Sequence, residues 1–251
     1  MPHISLKAEP IFHLWEFPIT NSLLLAFLVL VSLSLLAYFS RRKYSLVPSK
    51  VQNLFEMGLE ALLSVMGTMF GGDRRKAERY LPLIATIFTF ILFSNWFGLL
   101  PGIGSIVVRG HETAPLLRAP SADLNFTIAL ALISVVMTNI IGVTVLGFRA
   151  HISKYLNFKD PIKFFIGILE FISELAKIVS FSFRLFGNVF AGEVLLTIIA
   201  FLVPYVIPLP FFFMEIFVGF IQALIFTMLS IVFIAMATTD HEAHEMEMHG
   251  A

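Results

Sequence analysis

Glu170, Lys177 and Arg184 are spaced by seven residues and then by seven again. On a helix, residues seven apart lie within about 20° of one face. Ser173, Ser180 and Asn188 fall three or four residues from those charges and share their side. The result is one polar line, Glu170–Ser173–Lys177–Ser180–Arg184–Asn188, along a run otherwise apolar or small. Arg184 is its costly member, since a guanidinium inside a bilayer costs between about 3 and 17 kcal/mol depending on the reference state. Glu193 lies nine residues beyond Arg184, about 180° around an undistorted helix. On the next apolar segment Glu215 and Gln222 are again seven apart. Carboxylates, amides and an arginine aligned in hydrocarbon read as an ion or proton path.

A proton wire would be interrupted at Arg184, because an arginine does not deprotonate. Glu170 lies towards one side of it, while Glu193, Glu215 and a proline break at Pro204, Pro208 and Pro210 lie towards the other. An arginine repels a proton and attracts a carboxylate, so it suits a gate that a mobile carboxylate must pass. The two long segments hold no aspartate to serve as that carboxylate, and Glu193 and Glu215 are remote from Arg184 in sequence. The mobile carboxylate is therefore expected on another protein. An Arg184–Glu ion pair that only ties helices together is the plainer alternative.

The elements that must carry these residues are membrane spans. Of 251 residues, 58% are hydrophobic and 14% charged, against about 25% charged in a soluble domain. The net charge is zero, which gives no sign of nucleic-acid binding. The absence of cysteine excludes disulfides, Cys-ligated metals and thiol chemistry. The 28 phenylalanines read as lipid-facing bulk.

Residues 1–20 form a mixed extramembrane lead-in with Trp15 in an aromatic-belt position. Residues 21–40 are long enough to cross about 30 Å of hydrocarbon at 1.5 Å per residue. Arg41, Arg42 and Lys43 follow as a stop-transfer signal, so this segment reads as a retained first span and not a signal peptide. Residues 41–80 form a polar loop around an amphipathic stretch that opens after Pro48. Its apolar face is broken by Glu56 and Glu60, which indicates an interfacial helix. Gly71 and Gly72 end that helix without the strand or spacing of a phosphate loop. Residues 83–100 and 124–148 read as a pair of spans joined by an irregular loop, with Ser121 or Asp123 as the N-cap of the second. Asn95, inside the first of the pair, is either an interhelical hydrogen bonder or a functional amide.

Residues 164–203 and 211–238 form the last two segments. About 40 residues is twice what a perpendicular span needs, so the first must be tilted, broken or shielded by protein. The tail at 239–251 is acidic and His-rich and reads as a solvated cytoplasmic tail. His241 and His244 are too close together for the HExxH zinc pattern. The loops 41–80 and 149–163 carry twelve Lys/Arg against three (Lys7, Arg109 and Arg118) on the opposite side. The positive-inside rule then places the N-terminus outside and the C-terminus in the cytoplasm.

The run SFRLFGNVFAGE, the later IAMATTDHE with Glu215 and Gln222 before it, and PSADLN closely resemble the a-subunit family of the F-type ATP synthase membrane sector. The resemblance covers roughly residues 20 to 244, and RLFGN is its most specific part. It implies a stator that holds two offset aqueous half-channels against a rotating ring of c subunits, each bearing one mid-membrane carboxylate. It implies a b-subunit peripheral stalk and the rest of the synthase as further partners, and a bacterial plasma (inner) membrane as the location. Arg184 matches the arginine that attracts the deprotonated ring carboxylate and blocks a proton short circuit. Asn188, Glu193, Glu215, Gln222 and Asn95 match the extracytoplasmic half-channel; Glu170, Ser173, Lys177 and Ser180 match the cytoplasmic one. The sequence departs from the family pattern twice. The family often pairs Glu with His where this chain has Glu193 and Glu215, and some members carry Asp where this chain has Gly98.

The sequence thus predicts an all-α integral membrane protein in a single membrane domain. It has five bilayer-embedded helices, one interfacial helix, and a long, strongly tilted hairpin at the end. No cofactor, metal or catalytic residue is expected, and ATP chemistry belongs to other subunits. A self-contained secondary transporter with a midplane charged site is the alternative, although no internal repeat supports it. An intramembrane hydrolase fails because all seven histidines fall in loops or tails.

Overall fold

The computed structural model describes residues 8–14, 17–41, 49–100, 107–109, 113–148, 151, 161–204 and 206–249. Trp15, the basic residues Arg42 and Lys43, and Arg149, Lys154 and Lys159 lie outside them. In chain order come strands β1 (Pro10–Leu14) and β2 (Phe17–Thr20), then helices α1 (Asn21–Arg41), α2 (Lys50–Met69) and α3 (Arg74–Gly98). Strands β3 (Val107–Arg109) and β4 (Thr113–Pro115) lead through a single 3₁₀ turn at Pro120–Ala122 to α4 (Leu124–Leu146). The chain ends in α5 (Pro161–Leu202) and α6 (Pro208–His249), each of 42 residues. Among the described residues, five helices are long and apolar enough to cross a membrane: α1, α3, α4, α5 and α6.

Several boundaries differ from the sequence expectation, for local reasons. The lead-in holds an antiparallel hairpin, β1 with β2, and the loop before α4 holds a second, β3 with β4. The polar stretch 74–80 is helical, not loop. Asp73 caps α3 by accepting from the backbone N–H of Arg75 and Lys76, so the helix begins among charged residues and continues into the span. Gly71 and Gly72, with φ of +66° and +88°, make the left-handed turn that folds α2 back on α3. Ser49 caps α2 on Gln52. Of the two candidate caps for α4, Asp123 is the one used, accepting from Asn125 at 3.0 Å. The tail is helical through His249 as the continuation of α6.

α5 runs without a break, so the broken-helix alternative is excluded. Phe165, Leu169, Ile172, Leu175, Val179 and Phe183 are exposed along it, so its own fold does not shield it either. At about 1.5 Å per residue it is roughly 63 Å long, twice the hydrocarbon thickness, and tilt is what reconciles the two.

α5 and α6 pack antiparallel. Gly192 meets Glu215, Asn188 meets Gln222, and Phe181 meets both Phe226 and Phe233, with ring centroids 4.7 and 5.6 Å apart. In lipid, apolar burial between helices has little driving force, so close packing and interhelical hydrogen bonds hold the bundle. Ser134 of α4 and Ser230 of α6 share one at 2.9 Å, both buried. Asn95 and Trp96 of α3 donate to the carbonyls of Gly219 and Ile216 on α6, at 3.0 and 3.1 Å. At one end, Ser22 at the start of α1 donates to Asp123 at 2.6 Å and Asn21 donates to the Pro115 carbonyl. This ties the first span to the loop that carries Arg118.

Candidate functional site

The continuous helix keeps the sevenfold spacing on one face. Glu170, Ser173, Ser180 and Asn188 are exposed on α5, and Lys177 and Arg184 are half-buried. Phe181, Leu185 and Val189 sit on a neighbouring face and are buried against α6 and the rest of the core. Glu170, Ser173 and Ser180 of the polar line therefore look away from the chain's own fold. Arg184 donates to Ser180 Oγ at 3.1 Å, one turn back, and forms no ion pair among the described residues. Helix-tying through an Arg184–Glu pair, the plainer alternative, is not what the fold does.

Asn188 reaches sideways from the line and donates to Gln222 Oε1 at 2.6 Å. Gln222 is almost wholly buried on α6, and its Nε2 has no hydrogen-bond partner. Asn188 stands one turn beyond Arg184 on α5, so its bond to Gln222 brings α6 to this part of the line.

Glu193 points to the other side of α5, as nine residues of undistorted helix require. There it lines a cavity of about 230 Å³ with Asn95, Arg118, Val189, Glu215 and Gly219. Arg118 Nε donates to Glu193 Oε2 at 3.3 Å, and its guanidinium lies 5.8 Å from the Phe190 ring centroid. Arg118 is only 6% exposed and Glu193 is 39% exposed, so a buried cation faces a carboxylate open to the cavity. Glu215 is 5% exposed and forms no hydrogen bond or ion pair among the described residues. Its carboxylate occupies the space that a Cβ on Gly192 would fill. A buried carboxylate without a protein donor is rare outside functional sites.

Asn95 closes the cavity towards α6, with Nδ2 on the Gly219 carbonyl and Oδ1 buried without a partner. The interhelical hydrogen bond and the functional position thus coincide in this residue. Gly219 permits the approach, since a Cβ there would come within 3.2 Å of the Asn95 Cβ. Gly98, the second departure from the family pattern, has no room for a side chain: a Cβ would collide with Ala119. An aspartate does not fit this position without moving the loop before α4.

Four participants were not singled out in the sequence. Arg118 reads in the sequence only as a loop charge, and its place two residues before PSADLN is its one signal. Glu174 stands three residues before Lys177, a readable helical pair, and accepts from Lys177 Nζ at 2.6 Å. Asn139 on α4 donates to Glu174 Oε2 at 3.2 Å, and His151 bonds to Asn139 Oδ1 at 3.1 Å. His151 lies beyond the end of α4, in the connection where the sequence places it, but its imidazole reaches back to α4. The left-handed Gly147, φ +84°, ends α4, and the imidazole lies against Gly142, where a Cβ would approach its ring to 3.1 Å. No group of three or more His, Asp or Glu capable of holding a metal occurs among the described residues.

Comparison with known proteins agrees with this architecture. The family described as ATP synthase A chain matches residues 21–235. Among similar proteins is an ATP synthase subunit a from Campylobacter jejuni subsp. jejuni, 38% identical over 213 residues, covering 84% of this chain and 86% of the relative. Another, from Moorella thermoacetica, is 34% identical over 241 residues, covering 96% and 100%. A third, from Gloeobacter violaceus, is 33% identical over 224 residues, covering 89% and 86%. A match that spans the whole bundle, from the start of α1 into the second half of α6, shows that the chain belongs to the ATP synthase A chain family.

Proposed function

We propose that this chain is the stationary, proton-carrying subunit of a rotary F-type ATP synthase. In this role Arg184 faces a ring of c subunits and holds each deprotonated ring carboxylate as it passes. The observation that carries the reading is the pair of outlooks from one helix. Arg184 lies on the outward polar line of α5 and pairs with no carboxylate among the described residues, and Glu193 opens on the other side into a cavity shared with Glu215.

Asn95, Glu193 and Glu215 form the extracytoplasmic half-channel, and Asn188 with Gln222 hands protons on to the ring beside Arg184. The buried, unpartnered atoms Ser94 Oγ, Asn95 Oδ1 and Gln222 Nε2 support this route, since such atoms are where internal water is held. Glu170, Ser173, Lys177 and Ser180 line the cytoplasmic half-channel on the exposed face below Arg184. The N-terminus lies outside and the C-terminus in the cytoplasm of a bacterial plasma membrane, with the b-subunit stalk and the remaining synthase subunits as partners. Crossing the membrane moves charge through the potential, about 2.3 kcal/mol per elementary charge per 100 mV. This chain shapes that movement and performs no ATP chemistry.

The test is Arg184→Ala in the assembled complex, in inverted membrane vesicles. ATP-driven acidification is lost while the content of assembled complex stays normal. Full acidification refutes the assignment of Arg184 as the gate.

A further inference from the structure

Lys177 is a second cation on the face that carries Arg184, two helical turns away. Seven residues of helix separate them by roughly 10 Å. A carboxylate travelling along this face would meet two attractive charges, and only one stopping point is compatible with a single gate. The structure removes the competitor. Lys177 Nζ bonds Glu174 Oε1 at 2.6 Å and lies 4.5 Å from the Phe233 ring centroid, so the ammonium is drawn towards α6. Both partners are about four-fifths shielded, with side chains 18% and 20% exposed.

Glu174 is itself held in place from α4. Asn139 Nδ2 donates to Glu174 Oε2 at 3.2 Å and to the Val135 carbonyl at 3.0 Å. Two acceptors on Nδ2 fix the amide orientation, which leaves Oδ1 as an acceptor. The His151 nitrogen 3.1 Å from Oδ1 must therefore be the protonated Nε2 of the ring. His151 thus orients Asn139, Asn139 orients Glu174, and Glu174 discharges Lys177.

We propose that Glu174 is a positioning residue, the fixed counter-ion that neutralises Lys177 so that Arg184 is the one effective stop for the partner's carboxylate. This deepens the stator reading and rests on it. Asn139 and His151 act only through Glu174.

The experiment compares ATP-driven acidification by assembled complexes in inverted vesicles carrying Glu174→Gln, Lys177→Gln, the two together, and Arg184→Ala. Glu174→Gln slows acidification about tenfold, the effect of one bare charge at roughly 10 Å through an effective dielectric of about 20. In the Lys177→Gln background, whatever its own rate, the same Glu174→Gln change gives no further slowing, which a merely structural role for Glu174 does not allow. Unchanged acidification in Glu174→Gln, or a Glu174→Gln loss of the same size with and without Lys177, overturns the proposal and leaves the gate reading standing. Full acidification with Arg184→Ala removes the gate reading, and the counter-ion with it. If Glu174→Gln does not assemble, Asn139→Leu with and without Lys177→Gln decides by the same comparison.

Discussion

Gly192 of α5 and Glu215 of α6 compete for one volume: a Cβ on the glycine would fall among the carboxylate atoms of the glutamate. The absence of a side chain at position 192 is therefore what lets Glu215 enter the cavity. Gly192→Ala is expected to rotate the Glu215 carboxylate away while the hairpin stays intact, because the colliding atoms are the far end of a flexible side chain. Proton pumping by the assembled complex falls, on the order of a hundredfold, the scale of a proton-transfer group moved out of reach. Full pumping with normal assembly would show that the placement of Glu215 does not matter.

Glu215→Gln keeps the volume and removes the titratable group. Since the carboxylate has no protein partner among the described residues, the exchange breaks no hydrogen bond or ion pair, and assembly is expected to change little. Proton uptake from the extracytoplasmic side slows. Rates of ATP-driven acidification and of ATP synthesis in vesicles check this, and unaltered rates would take Glu215 out of the path.

The Arg118–Glu193 pair joins a buried cation to a partly exposed carboxylate. Breaking a fully buried pair costs about 3–5 kcal/mol, and an exposed one about 0–1. Arg118→Gln is expected between these limits, at about 1–2 kcal/mol once the exposure of Glu193 is discounted. Thermal or denaturant unfolding of the purified complex measures it. Arg118→Gln combined with Glu193→Gln should cost less than the sum of the two single changes; strict additivity would mean that the pair does not couple.

Ser134→Ala serves as a contrast. Its hydrogen bond to Ser230 lies away from the cavity and from Arg184, and interhelical bonds of this kind average about 0.6 kcal/mol. A stability loss of that size with unchanged pumping is expected. A pumping defect would extend the functional route to the α4–α6 seam.

Much of this protein was legible in the chain itself. Hydrocarbon tolerates no unsatisfied backbone, so five long apolar runs had to be helices, and the 3.6-residue repeat then placed Glu170, Lys177 and Arg184 on one face and Glu193 on the other. The RLFGN stretch carried the family. The amphipathic stretch before Gly71 and Gly72 was also readable as a helix, because its apolar spacing and those glycines are local signals. Helix starts were less so: a capping aspartate at position 73 outweighed the charged composition of 74–80, and Asp123 outcompeted Ser121.

Relationships between distant segments belong to the tertiary structure alone. Periodicity assigns a residue to a face and says nothing of what that face meets. Only the antiparallel register of α5 and α6 brings Asn188 to Gln222 and Gly192 to Glu215, residues 34 and 23 apart. Only the fold of the loop before α4 delivers Arg118 to Glu193, 75 residues away. Only a left-handed turn at Gly147 returns His151 to Asn139 and so to Glu174 and Lys177. The chain by itself determined which charges lie in the membrane and on which side of a helix, because burial cost and helical pitch are local. Which charges are paired and which stands without a counter-ion among the described residues was decided by packing, because pairing depends on distances that sequence spacing does not set.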